Sequence, residues 1–181
     1  MADRLSPEQR HLNMSHVHSA STKPELALRH ALWKLGYRYR INDKRLPGTP
    51  DIVLPKYRTV IFVHGCFWHA HKDCPNYTTP KTNTEFWTAK IARNQQRDQD
   101  TWRQLEARGW NVIIVWECEL RKSRLQETVE ATTSAIRKNG EILRSAQDDR
   151  KKASALYQEE RRQTKERKRW LTEELHRKYP H

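Results

Sequence analysis

The sequence predicts an α/β fold: a central mixed β-sheet flanked by helices. Three observations lead there. Short β-branched runs at 52–54 (IVL), 59–63 (TVIFV) and 110–116 (WNVIIVW) are bounded by Pro, Gly and charged residues. Segments with apolar side chains at helical spacing precede, separate and follow these runs. Finally, the order of two strands, a helix and a third strand suggests a mixed sheet with helices packed on it.

The elements follow in order. Residues 1–21 are polar and carry His11, His16 and His18 without periodicity, which predicts a mobile arm with a short helical piece. Ser21 or Thr22 is a candidate cap for a first helix, Pro24 sits in its first turn, and Glu25 complements the positive helix start. Leu26, Leu28, Ala31, Leu32 and Leu35 supply its apolar face, and Gly36 ends it. Alternation over 37–41 reads as a strand. The loop Leu46-Pro47-Gly48-Thr49-Pro50 then leads to Asp51, which opens the run 52–54. After a turn at 56–58, the run 59–63 delivers the chain into 64–74, which reads HGCFWHAHKDC.

A Pro- and Thr-rich loop covers 75–84, and a long basic helix spans 84–108. Phe86, Ile91 and Trp87 mark its first apolar face, Trp102 and Leu105 its second, and Gly109 stops it. The run 110–116 has a continuous apolar centre, as expected of a strand covered on both faces. Leu125, Val129, Thr132 and Ile136 form the face of another helix, closed by Asn139-Gly140. Residues 141–181 alternate basic and acidic side chains with few apolar ones, which predicts a charged helical or partly disordered, solubilising extension.

Composition narrows the function classes. The chain has 181 residues and a net charge of +13. Residues 141–181 hold 12 basic and 8 acidic side chains, so most of the positive excess lies before them. A strongly basic protein fits nucleic acid, whose phosphates release counterions on contact with Lys and Arg. Hydrophobic residues make up 35%, below the usual value of about 45–50%, so part of the chain is expected outside the core. No run is apolar enough to span a bilayer and the N-terminus lacks a secretory stretch, which leads to an expected cytoplasmic location. Three cysteines in a reducing compartment point to metal ligation rather than disulfides.

The stretch 64–74 carries the chemistry. Thiolate and imidazole are zinc's preferred ligands, and four close a tetrahedral site. Cys66, His71 and Cys74 supply three, and Cys118, after the last strand, is the natural fourth. His69 in place of His71 is the alternative. A zinc closed by four protein ligands is structural, since catalytic zinc keeps a position open. His64 and His69 are then left over. With Asp51, and with Glu25 nearby in space, they meet the needs of metal-assisted phosphodiester hydrolysis. A carboxylate holds a hard cation such as magnesium, and an imidazole titrating near neutrality moves a proton. Lys90 and Asn94 lie one turn apart beside Trp87, a patch suited to base edges and stacking.

Several stretches resemble the very-short-patch-repair (Vsr) DNA mismatch endonuclease family. They are NMS at 13–15, TKPELALRHAL at 22–32, LPGTPDIV at 46–53, VIFVHGCFWHAH at 60–71, PKTNTEFWTAKIARNQQRD at 80–98 and GWNVIIVWECEL at 109–120. Together they cover about residues 11–122. The resemblance implies a restriction-endonuclease-like core over 22–140, with 1–21 as a DNA-contacting arm. It implies a magnesium-dependent nick 5′ of the thymine in T:G mismatches, which arise when 5-methylcytosine deaminates at a methyltransferase's site. Asp51 would hold magnesium with the backbone carbonyl of Val63, His69 would act as general base or acid, His64 would assist, and Glu25 would support the ion's water shell. Phe67, Trp68 and Trp87 would wedge into the base stack, where unstacking costs a few kcal/mol. Met14, Val17, Lys90 and Asn94 match positions around the mismatched pair. A monomer on the nucleoid is expected, alongside a cytosine methyltransferase and mismatch-repair proteins.

The chain departs from the family pattern in three places. His16 and His18 stand where the family tends to have basic residues. Lys72 and Asp73 separate His71 from Cys74, one residue more than in some members. The tail beyond about residue 140 has no recognised counterpart. Two other readings stay open: a zinc-stabilised DNA-binding module without cleavage, and a restriction-type endonuclease on fully paired DNA.

Overall fold

The computed structural model describes residues 9, 12 and 21–178, with side chains to residue 165. Met14, Val17 and the arm's histidines lie outside the described residues. Helix α1 spans Lys23–Lys34 with Pro24 in its first turn and Thr22 at its N-cap. Thr22 makes no side-chain cap; the Glu25 carboxylate instead reaches back to the Ser21 N–H at 2.9 Å. Leu28 and Leu32 are fully buried, whereas Leu26 and Leu35, expected on the same face, are exposed. The buried stripe is narrower because Glu25 and Arg29 take the adjacent positions.

The sheet has three strands in the order β1 (Ile52–Leu54), β2 (Thr59–His64) and β3 (Asn111–Trp116). β1 pairs antiparallel with β2, with Ile52 opposite Ile61, and β2 pairs parallel with β3, with His64 opposite Trp116. The parallel pair needs a crossover, which α2 (Thr84–Ala107) supplies. The strand expected at 37–41 reduces to one bridge between Arg40 and Val53. The next residues turn away through Asn42, whose φ of 46° ends the pairing.

Two apolar clusters cover the sheet. One joins Leu28, Leu32, Ile52, Leu54, Ile61, Val115 and Ile136, the other Val53, Val60, Phe62 and Leu105. Alternate residues of β3 enter each: Ile113 and Val115 the first, Val112 and Ile114 the second. β3 therefore has cover on both faces, although as an edge strand it is mostly half-buried.

The chain divides into two compact units, 1–139 and 140–181. Helix α3 spans Leu125–Lys178. Within the first unit, Val129, Thr132 and Ile136 are its buried face. Asn139 does not close the helix with Gly140. Its amide donates to the Tyr57 carbonyl at 2.6 Å, so the side chain locks the β1–β2 turn. In the second unit, Ile142, Leu156 and Tyr157 are exposed and Arg162 pairs with Glu159 at 2.8 Å. No helix among the described residues is long and apolar enough to cross a membrane.

Candidate active site and metal centre

Asp51 follows the loop Leu46–Pro50 and leads directly into β1. Gly48 adopts φ 70°, and a Cβ there would collide with Thr101 of α2, so this loop needs a glycine to lie against the helix. The Val63 N–H donates to Asp51 Oδ2 at 2.7 Å, which fixes the carboxyl against the end of β2. Burial lifts this carboxyl to about 6, and the Glu25 charge adds to the rise. The Val63 hydrogen bond and the charges of Arg29 and His69 pull the other way.

β2 ends in His64, whose ring is buried between neighbours. It stacks on His69 at 3.8 Å and 18°, and lies 5.9 Å from Trp102. Burial, helped by the charge of His69, lowers His64 to about 4, so the ring is neutral at neutral pH. Among the described residues, the buried His64 Nδ1 has no hydrogen-bond partner. His69 Nδ1 is held by Asp98 Oδ2. Burial pushes the Asp98 carboxyl up, but the His69 hydrogen bond and the charges of His69, His64 and Arg97 leave it below its ordinary value. Nδ1 being engaged, Nε2 is the free nitrogen of His69.

Glu25 is buried with Arg29 at 2.9 Å. Arg29 also donates to the Asp51 backbone carbonyl at 3.1 Å, which ties α1 to the first residue before β1. Glu25, Asp51, Val63, His64, His69 and Asp98 all line one cavity of about 720 Å³, with Lys44 and Arg97 among its other walls. The four residues that the sequence pointed to from four separate elements thus share one space.

On the far side of the same loop, Cys66, His71, Cys74 and Cys118 bring their ligand atoms within 4.8 Å of one another. His71 Nδ1 lies 3.4 Å from both Cys66 Sγ and Cys118 Sγ. Tetrahedral zinc with ordinary Zn–S and Zn–N bonds requires a separation of about 3.6 Å, so this donor set fits the ion. Burial pushes the Cys66 thiol up to about 12, a cost that a bound cation reverses. His71 lies flat on Trp116 at 4.0 Å, and Glu117 receives the Cys66 N–H at 2.9 Å. The alternative in which His69 completes this group does not match the geometry, because Asp98 holds His69 in the other cluster. Of the two residues between His71 and Cys74, Asp73 adopts φ 56°.

Phe67, Trp68 and Trp87 form one aromatic group, with ring centroids 5.2 to 6.0 Å apart. Phe67 and Trp68 are half-buried rather than fully exposed, because the rings pack on each other. Phe86, expected on the buried face of α2, is 53% exposed and touches Trp87. The Lys90 Nζ stands over Trp68, Phe86 and Trp87 at 5.4 to 5.7 Å. Asn94 spends its amide N–H on the Trp68 carbonyl at 3.0 Å, so it fixes the loop that carries the ring.

Asp98, Arg29 and Glu117 were not singled out from the sequence, and Trp102 was read only as part of an apolar face of α2. Only Asp98 left a signal. It repeats at seven-residue spacing with Ile91 and Leu105, the other buried positions of α2. An acid on an apolar stripe calls for a buried partner.

Comparison with known proteins places these groups in a family context. The family description "DNA mismatch endonuclease Vsr" matches residues 2–76. The Type II nicking enzyme V.XorIIP of Xanthomonas oryzae pv. oryzae is 52% identical over 66% of this chain and 88% of its own length. V.NmeAIP, a Type II nicking enzyme of Neisseria meningitidis, is 45% identical over 75% of this chain and 100% of its own length. The DNA mismatch endonuclease Vsr of Escherichia coli K12 is 43% identical over 75% of this chain and 86% of its own length.

Proposed function

From the premise that this chain belongs to the Vsr family of DNA mismatch endonucleases, which hydrolyse a DNA phosphodiester bond, we propose that it nicks double-stranded DNA on the 5′ side of the thymine in a T:G mismatch. The reading takes the core of 22–140 as restriction-endonuclease-like, 1–21 as a DNA-contacting arm and 141–181 as a solubilising tail. A monomer acting on the nucleoid in the cytoplasm, downstream of a cytosine methyltransferase, completes it. The supporting observation is that the Asp51 carboxyl and the His64 and His69 imidazoles line one cavity.

The donors beside the cavity fit a hard cation. Asp51 and the Val63 carbonyl are oxygen ligands of the kind magnesium takes. When bound, magnesium polarises the phosphate and offsets charge on the departing oxygen. The remaining work belongs to side chains. His69, held at Nδ1 by Asp98, presents Nε2 to take a proton from the attacking water or to protonate the leaving oxygen. As the water oxygen bonds to phosphorus, the bond to the departing sugar oxygen breaks. His64 stays neutral and backs His69 by stacking. Cys66, His71, Cys74 and Cys118 hold structural zinc, which anchors the loop that carries both histidines. Phe67, Trp68 and Trp87 enter the base stack, with Lys90 and Asn94 beside the pair. A mismatch is already weakened, so the cost of unstacking favours damaged steps.

The test is a strand-labelled nicking assay on T:G, T:A and C:G duplexes of one sequence, with magnesium and with chelator. The expected result is a magnesium-dependent nick confined to the thymine strand of the T:G duplex. Binding without cleavage identifies a DNA-binding module instead, and equal cutting of paired duplexes identifies a restriction-type enzyme.

A further inference from the structure

We propose that Arg29 is a positioning residue that holds the Glu25 carboxylate off the catalytic cation, so that the cation binds weakly until a DNA phosphate joins it. This rests on the assignment of Asp51 as the cation's ligand. The observation behind it is a guanidinium buried to 4% exposure that pairs with the Glu25 carboxylate and donates to the backbone carbonyl of Asp51, two residues that line the same cavity. Burying such a group is costly unless its donors are met.

The Nη donors of Arg29 are met in a specific way, whereas Nε is buried with no hydrogen-bond partner among the described residues. Nη2 lies 2.9 Å from Glu25 Oε2, 3.1 Å from the Asp51 backbone carbonyl and 3.4 Å from Asn42 Oδ1. Nη1 lies 3.4 Å from Ser21 Oγ. Glu25 is then occupied on both oxygens. Oε2 also accepts the Ser21 N–H at 2.9 Å, and Oε1 accepts the Thr22 hydroxyl at 2.8 Å. A carboxylate so engaged keeps one lone pair, on Oε1, and cannot turn both oxygens toward an ion without breaking these bonds.

The charge balance leads the same way. Affinity for a divalent cation grows with the number of carboxylates that ligate it. Asp51 and Glu25 together would offer two negative charges. Arg29 cancels that of Glu25, which leaves the Asp51 carboxylate to attract the ion. The phosphate backbone supplies the missing charge when DNA arrives. The cation and the scissile phosphate then load together, and the DNA-free enzyme does not trap an ion in an unproductive place. The bond from Arg29 to the Asp51 carbonyl also ties to α1 the residue whose carboxyl accepts the Val63 N–H, so one side chain bears on both the charge and the placement of the site.

The experiment measures Mn2+ binding, as a paramagnetic stand-in for Mg2+, to the full zinc-loaded chain without DNA. Arg29→Met is expected to bind Mn2+ about tenfold more tightly than the wild type, because Glu25 is released to ligate. Adding Glu25→Gln to that variant should remove the gain. Arg29→Lys, which keeps the charge, should stay near the wild type, and so should Glu25→Gln alone. If Arg29→Met does not fold, Arg29→Gln carries the same expectation. A folded neutral variant that binds Mn2+ no more tightly overturns the proposal, as does a more than threefold weakening in Glu25→Gln alone. Asp51→Asn separates the two readings. Retained binding in that variant would overturn the metal assignment itself. Lost binding there, with no gain in Arg29→Met, would overturn the role of Arg29 only.

Discussion

Two groups of metal-capable side chains stand on opposite sides of the loop 64–74, and they are built differently. Cys66, His71, Cys74 and Cys118 face one another at ligand spacing, with His71 Nδ1 3.4 Å from two sulfurs. Asp51, His64, His69 and Asp98 face a cavity of about 720 Å³. The first group has four donors that face one another, the number that closes a tetrahedral site. The second has donors held from behind, by the Val63 N–H and by Asp98, with a free atom toward the space. One stretch of chain serves both, and Ala70, at φ 50°, stands between His69 of the open group and His71 of the closed one. In the proposed function the closed group anchors and the open group acts.

Breaking the closed group is the largest effect. Cys118→Ser should lose zinc and with it the folded domain, since structural zinc contributes on the order of 10 kcal/mol. Metal analysis and thermal melting check this. Unchanged zinc content and melting temperature would remove Cys118 from the ligands.

Loosening the open group should leave the fold alone. Asp98→Asn replaces the carboxylate that orients His69 and offsets its charge with a neutral amide, so nicking under single-turnover conditions should fall about 10²-fold, with zinc content unchanged. Nicking at the wild-type rate would deny Asp98 that role.

The open group also has a pH signature. His64 is lowered to about 4, so the unfolded chain binds its proton first and stability is lost as pH falls below about 6.5. By pH 5 this amounts to about 2 kcal/mol. Asp51 is raised to about 6 from 3.8, so the folded chain binds its proton first and stability is gained over the same descent, by about 1 kcal/mol at pH 5. Melting curves at pH 7 and pH 5 should therefore show a shallower acid loss in His64→Asn and a steeper loss in Asp51→Asn than in the wild type. Identical slopes in all three would contradict these environments.

The smallest effect concerns the hinge between the groups. A non-glycine residue in the left-handed region is strained by about 1–2 kcal/mol. Ala70→Gly relieves that but frees the unfolded chain, so stability should change by less than about 1 kcal/mol, with zinc and nicking retained. Loss of either would show that Ala70 does more than turn the chain.

Much of this arrangement was legible in the sequence, for physical reasons that also explain what was not. β2, α2 and β3 were readable because their residues agree with the local period and are bounded by Gly and Pro. Zinc-type donors at short spacing announced the closed group. The strand at 37–41 was not readable, because its pairing ends after one bridge where Asn42 turns the chain. Asn139-Gly140 resembles a helix stop, yet the Asn139 amide is consumed by the Tyr57 carbonyl. Asp98 and Arg29 escaped notice because their partners, His69 and the Asp51 carbonyl, are 29 and 22 residues away in the chain. Helical charges usually point to solvent, and only tertiary contact shows that these two do not.

The division of labour between the two groups is tested most directly by single-turnover nicking of a labelled T:G duplex by Asp51→Ala, with duplex affinity and zinc content measured on the same preparation. The expected result is nicking reduced at least about 10³-fold, with affinity and zinc content kept at wild-type levels. Nicking at the wild-type rate would contradict the account.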